Sequence, residues 1–430
     1  IHPIKLDSEG FCFRRALLGA SSQFALPGRA GLDLVKSCEG TEDDLEARKL
    51  WDTKGAGWLY NSCHRSLYSY QMRTALALAI ENRQLSVTFL PLGCSGAEIG
   101  EGLLDSMEAR ERPTEDGKTA PAVVEAQMSQ LRNYLKSITD RRGQRRQIDL
   151  MLLTVGANDM GFSGLVANII VHENLERRLL KDTLVSIDDA AENLKALRDD
   201  FRLLRRELHR TMGSKLDRVV FVTYGNPGKS NSETPCVGTR TGFDAHPAFT
   251  VNGETLKNTA EFVDKNFIPT LRSYITCDAA GACARPQSDA MKYVDGHLAK
   301  FADHGFCAGA TTDPAFDRQC FKDGNSFRSR GEGLSNPMAC NRFTADKFQA
   351  YAKRARWVRT VNDSYFSAMT YPSNSGLLGN PIDLHDARWG LTSVVYGGAL
   401  HPTAEGHGAM ADATLPVARE VLGLQPRAAA

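Results

Sequence analysis

The stretch IDLMLLTVGANDMGF, Ile148 to Phe162, runs from apolar residues straight into a glycine, an asparagine and an aspartate. A short apolar run closed by turn residues reads as a buried parallel strand. Three further stretches share the form: SVTFLPLG (86 to 93), RVVFVTYG (218 to 225) and LTSVVYGG (391 to 398). Helical periodicity fills the intervals, with SYQMRTALALAIEN ahead of the first strand and VVEAQMSQLRNYLKSI between the first two. DDAAENLKALRDDFRLLRRELHRTM forms a long amphipathic helix before the third. Strands alternating with helices predict an α/β fold, a doubly wound and mostly parallel sheet whose ligands bind at the carboxyl ends of its strands.

Residues 226 to 342 break this rhythm, being rich in Gly, Asn, Ser and Pro. They read as a cysteine-rich insertion that walls the site, with 1 to 225 and 343 to 430 making the α/β domain. The chain has 430 residues, 42% of them hydrophobic, enough for a large core. A formal net charge of +1 leaves no electrostatic footprint for nucleic acid, and RRGQRR (141 to 146) reads as a solvated loop. No run of 18 apolar residues occurs, so no transmembrane helix is expected. Ten cysteines without CxxC pairs read as disulfides in an oxidising compartment, secreted or periplasmic, rather than as a zinc site. The chain opens at Ile1 without Met or signal peptide, which predicts that something lay upstream.

Just past the end of a strand, Gly156 and Asn158 lie where a backbone N–H and a side-chain amide suit a developing oxyanion; an Asn-Asp turn capping the next segment is the plainer reading. Near the C-terminus LHPTAEGHGAMAD (400 to 412) sets His401 before a proline-started helix, where it can act as general base toward a serine hydroxyl. In LGCSGAEI, after the first strand, Gly96 offers a second oxyanion donor.

In this order the three stretches resemble the SGNH (GDSL-type) hydrolase family of serine esterases and lipases, over most of the chain. GCSGAEI is similar to the family's glycine block, GAND to its Gly-x-Asn-Asp block and HPTAEGH to its histidine block. The resemblance implies a flavodoxin-like three-layer fold, His401 as base and Asn158 and Gly96 as oxyanion donors, with Asp159 ordering its loop. CHRSLYSYQ (63 to 71) resembles the Cys-x-Arg-Ser stretch of the secreted bacterial branch and implies a Cys63–Cys94 disulfide.

Two departures stand out. The family's Gly-Asp-Ser nucleophile block is absent, and Ser21 in LLGASSQF is only its nearest imitation. DSEGFCFRR (7 to 15) resembles the segment just after that block in related proteins, which places the serine and its strand upstream of Ile1. A missing inner strand would leave N–H and C=O groups unpaired on both neighbours. Second, where the family often has Asp-x-x-His, this chain has Gly398-Ala399-Leu400-His401. That predicts a dyad-like site, with a backbone carbonyl holding the imidazole and Asp383 and Asp386 as the sequence-near substitutes.

His407 and His64 read as packing residues, His304 and Cys307 as part of a wall or disulfide neighbourhood, and Tyr365 and Tyr371 as pocket lining or core. The reaction implied is cleavage of a carboxylic ester through an acyl-enzyme, without metal or organic cofactor; small acyl, lipid and acetylated-carbohydrate esters all suit it. The rival is a non-catalytic binding protein on a degenerate scaffold of the same kind. A nucleotide-binding reading is weaker, because no Walker or Gly-x-Gly-x-x-Gly stretch comes after a strand.

Overall fold

The computed structural model describes residues 59–82, 84–109, 114–115, 118–119, 121, 123–140, 142–170, 184–228, 253–305, 308–322, 326–327, 349, 352–360, 363 and 400–425. Ser21, Cys307, Tyr365, Tyr371, Asp383, Asp386 and the 391–398 stretch lie outside them.

The architecture is a mixed α/β one built on a three-stranded parallel sheet, with β1 (Met151–Leu153), β2 (Val219–Val222) and β3 (Lys292–Val294) in that order. Met151 pairs with Val219, and Val220 with Lys292. The central strand is fully buried, as expected of an apolar run covered on both faces. Val219 and Phe221 join the large core beneath the longest helix, while the alternate residues turn to the opposite face.

In chain order the main helices are α1 (Tyr70–Glu81), α2 (Gln127–Ser137), α3 (Phe162–Ile170), α4 (Ile187–Met212), α5 (Gly253–Phe262), α6 (Ile268–Thr276) and α7 (Leu298–Ala302), with α8 (Ala404–Leu422) last. Helix α4 starts at a capping box, Ser186 with Asp189, and ends at Gly213, whose φ of +101° suits only glycine. Between these ends it buries Ala190, Leu194, Leu197, Phe201, Leu204 and Leu208, a stripe at helical spacing. On the other face α8 packs against α1, β2 and β3, and Arg419 clamps Glu81 with contacts of 2.6 and 2.9 Å.

Three differences from the sequence reading have their origin in strand pairing. Residues 86–93 form no ladder among the described residues, although their composition favours a strand: β1 pairs only with β2, and a cavity borders its free edge. Lys292–Val294 supplies the third strand of the sheet from within the 226 to 342 span, and α5 and α6 from the same span bury Phe262 and Leu271 in the core. Val123 and Val124, read as the start of a helix, instead pair with Met107 and Glu108, and α2 begins at Gln127.

Two disulfides occur among the described residues, Cys63–Cys94 and Cys277–Cys283. The first is the pairing that the resemblance implied. No helix among the described residues is long and apolar enough to cross a membrane.

Candidate functional site

The glycine block is shaped by its neighbours in space. The Cys63–Cys94 bond ties it to the turn before α1, Ser95 N–H donates to the Cys63 carbonyl at 3.1 Å, and the Arg65 guanidinium holds the carbonyls of Leu92 and Gly93 at 3.2 and 3.0 Å. Gly96 turns the chain at φ +75°, a conformation that side chains disfavour.

The Gly-x-Asn-Asp block turns at Gly156, φ +113°, directly beyond β1. Its two polar side chains reach across to the glycine block. Asn158 Nδ2 donates to the Ala97 carbonyl at 3.0 Å, and Asp159 Oδ1 accepts from Ile99 N–H at 2.8 Å. The two sequence blocks are therefore stapled together by adjacent side chains, and Gly96 and Asn158 belong to one assembly. The amide has two N–H groups, and one is committed to Ala97. Burial pushes the Asp159 carboxyl up to about 6, with the negative charges of Glu98 and Asp200 adding to it against the opposing bond from Ile99. Its second oxygen is buried without a partner among the described residues.

His401 is set by its backbone. Leu400, just before it, adopts φ +69°, an uncommon conformation for a residue with a branched side chain. Residues 400–403 lie antiparallel to 357–359: Leu400 N–H donates to Arg359 O at 2.8 Å, Arg359 N–H to His401 O at 2.9 Å and Thr403 N–H to Trp357 O at 2.8 Å. Thr403 then caps α8 through Gly406 N–H. The 357–359 strip is itself anchored from behind. His304 stacks on Trp357 with ring centroids 3.6 Å apart, which makes His304 a support of this wall. Arg356, wholly buried, bonds Asp363 at 2.6 Å and Asp317 at 3.0 Å. Burial alone would raise the Asp363 carboxyl, but the Arg356 guanidinium holds it well below the usual carboxylate range.

His401 and Ser95 both line a cavity of about 1010 Å³ that also meets Thr154, Arg359 and His407. Neither Gly96 nor Asn158 is part of this lining; Ser95, the residue before Gly96, is. His407 stacks on Tyr70 at 6.5 Å, and burial, aided by the positive charge of His401, pushes its imidazole down to about 3. It is a neutral wall residue, unsuited to be a base at neutral pH. His64, buried with φ +52°, lines the same cavity.

Sequence reasoning missed two contributors. The Thr154 hydroxyl donates to Val222 O at 2.9 Å and bonds the buried Tyr70 hydroxyl at 2.7 Å, joining α1 to the ends of β1 and β2. Arg359 shares both the cavity and the backbone ladder with His401. Neither carries a local sequence signal, since both depend on pairings distant along the chain. No protein-family model, curated protein or solved structure matches this chain.

Proposed function

We propose that this chain belongs to a secreted or periplasmic serine esterase of SGNH type, on a doubly wound flavodoxin-like scaffold, that cleaves carboxylic esters through an acyl-enzyme. The observation that carries the reading is the convergence of three distant blocks: Asn158 and Asp159 hold the Gly96 turn, and Ser95 beside it shares a cavity with His401. The nucleophilic serine belongs to an upstream segment of the same precursor. Its Oγ attacks the ester carbonyl while its proton passes to His401, and the negative charge on the former carbonyl oxygen develops toward Gly96 N–H and the Asn158 amide. Collapse expels the alcohol, which takes the proton from His401. Water then repeats the sequence on the acyl-enzyme, releasing the acid and restoring the serine. The two disulfides fit an oxidising compartment. Small acyl, lipid and acetylated-carbohydrate esters are the substrate classes such a site accepts.

The test is fluorophosphonate labelling of protein isolated from cells carrying its complete gene, with mass mapping of the adduct. A serine adduct on an upstream peptide is expected. Labelling should slow by about a hundredfold or more in His401→Asn and by a similar factor in Asn158→Ala. A folded protein that never labels overturns the esterase and favours a binding protein on the same scaffold.

A further inference from the structure

Helix α2 has two unlike faces. Met128, Leu131 and Leu135 belong to the core or pack against it, whereas Gln130, Asn133, Tyr134 and Ser137, spaced as neighbours on a helix surface, share another face. That second face carries two amides, a hydroxyl and an aromatic ring but no charge. Together with Tyr60, Pro121 and Val123 it lines a groove of about 500 Å³, in which Glu125 is the one charged lining group among the described residues.

Two tyrosines open onto this groove, Tyr60 at 41% and Tyr134 at 46% exposure. A single exposed apolar ring is ordinary, but these two belong to one groove and are held in place. The Tyr60 carbonyl accepts from Cys63 N–H at 3.4 Å and from Arg65 N–H at 3.1 Å, in a turn closed by the Cys63–Cys94 bond, and the Arg65 guanidinium lies 4.7 Å from the Tyr60 ring centroid. The amides are ordered too. Gln130 Oε1 accepts from Arg65 at 3.2 Å and its Nε2 donates to the Glu125 carbonyl at 2.5 Å, while Asn133 Nδ2 donates to Glu125 Oε1 at 2.9 Å. Asn133 Oδ1, the second Glu125 oxygen and both phenol hydroxyls have no hydrogen-bond partner among the described residues.

We propose that this groove binds a neutral oligosaccharide, its sugar rings lying against Tyr134 and Tyr60 and its hydroxyls bonding Asn133 and Glu125. A pyranose presents a face of C–H groups, which the negative face of an aromatic ring attracts. Its rim of hydroxyls can both donate and accept, which suits an amide and a carboxylate that each keep an acceptor oxygen. A proline-rich peptide also docks against aromatics, but its prolines have no N–H to give those oxygens. Among the described residues the lining has no cation for a phosphate or an acidic sugar, and Arg65 beside Tyr60 is committed to Gln130 and to the Leu92 and Gly93 carbonyls. One guanidinium thus joins the groove to the glycine block. That a bound polysaccharide brings its acetyl esters to that block rests on the function proposed above, and it selects acetylated carbohydrate among the substrate classes; the groove itself rests on Tyr60 and residues 121–137.

The experiment is native electrophoresis of the protein, isolated from cells carrying its complete gene, through gels containing arabinoxylan, glucomannan or mixed-linkage β-glucan, with polygalacturonate as the acidic comparison. An intact Cys63–Cys94 bond and an unchanged urea midpoint check the folding of each variant. At least one neutral polymer should retard the protein. Tyr134→Ala should weaken that binding about tenfold, whereas Tyr134→Phe, which keeps the ring, should weaken it by less than about threefold. Asn133→Ala should weaken it by about threefold or more. Failure of every neutral polymer to retard the protein, retardation by polygalacturonate alone, retardation unchanged in Tyr134→Ala, or decaproline bound in place of the polysaccharides overturns the sugar groove. Retardation without a fluorophosphonate adduct leaves the groove standing and removes the esterase; an adduct without retardation does the reverse.

Discussion

Asp159 gives the sharpest test of the stapled loops, because its carboxyl stabilises the fold least when ionised. Burial raises it from an ordinary 3.8 to about 6, a change of about 2 pH units and so about 3 kcal/mol at 1.36 kcal/mol per unit. Below about pH 4 the group is protonated in both folded and unfolded chains and carries no ionisation cost. Between about pH 4 and 6 the unfolded chain releases a proton that the fold retains, so stability falls as pH rises. Above about pH 6 the full cost is in place, with Glu98 and Asp200 contributing through like charge. Asp159→Asn removes the titration while keeping an oxygen for Ile99 N–H. Urea unfolding of both proteins from about pH 4 to pH 7 should show the variant gaining about 3 kcal/mol relative to the parent across that interval. Parallel curves, differing by less than about 0.5 kcal/mol in slope across the interval, would refute the burial argument.

Asp363→Asn removes from the wholly buried Arg356 one of the two carboxylates that hold it among the described residues, and should lower the unfolding free energy by about 3–5 kcal/mol in urea titration. Breaking Cys63–Cys94 by double replacement with Ala opens a loop of 31 residues' separation, and the chain-entropy relation puts the loss at roughly 3–4 kcal/mol, again read from urea midpoints. The His407 imidazole, held down to about 3, should show no titration between about pH 5 and 8 by NMR, and because the unfolded chain binds that proton near pH 6.5, stability should fall as pH drops below it. Gly406→Ala sets a Cβ 2.5 Å from the Trp357 carbonyl, so the strip must move away from α8; stability should drop by about 1–3 kcal/mol and fluorophosphonate labelling should slow with it.

The features legible in the sequence were local ones. Helix α4 declares itself through its apolar stripe, its Ser186 cap and its terminal glycine, and α1 through Ser69 and its periodicity, because each signal lies within one element. β1 and β2 were readable as apolar runs for the same reason. Lys292–Val294 was not, since only three residues pair and their strand character comes from lying beside β2 rather than from composition. The error at 86–93 is the converse: composition favoured a strand, but a ladder needs a partner on the neighbouring edge, and none is present among the described residues. Of the candidate site, Gly96, Asn158 and His401 could be named as candidates from the sequence, but neither Asp159's bond to Ile99 nor the Arg359 ladder, whose partners lie 40 or more residues away.

The placement of His401 shows how such distant partners bear on chemistry. In the proposed reaction the imidazole of His401 must be held at a fixed angle, and sequence places no carboxylate three residues before it. The backbone substitutes for part of that constraint. Leu400 is forced into φ +69°, the carbonyl of His401 is fixed by Arg359 N–H, and the next turn is locked by Thr403 onto Trp357. Next to that strip Arg356, adjacent to Trp357, is held by two buried carboxylates. A buried ion pair adds little net stability over an apolar replacement, but it fixes one geometry, since any shift leaves a charge unpaired. The cost of burying Arg356 is thus best understood as the cost of holding the histidine's backbone still, and relaxing the cluster with paired apolar residues should preserve folding while loosening the approach of His401 to the cavity.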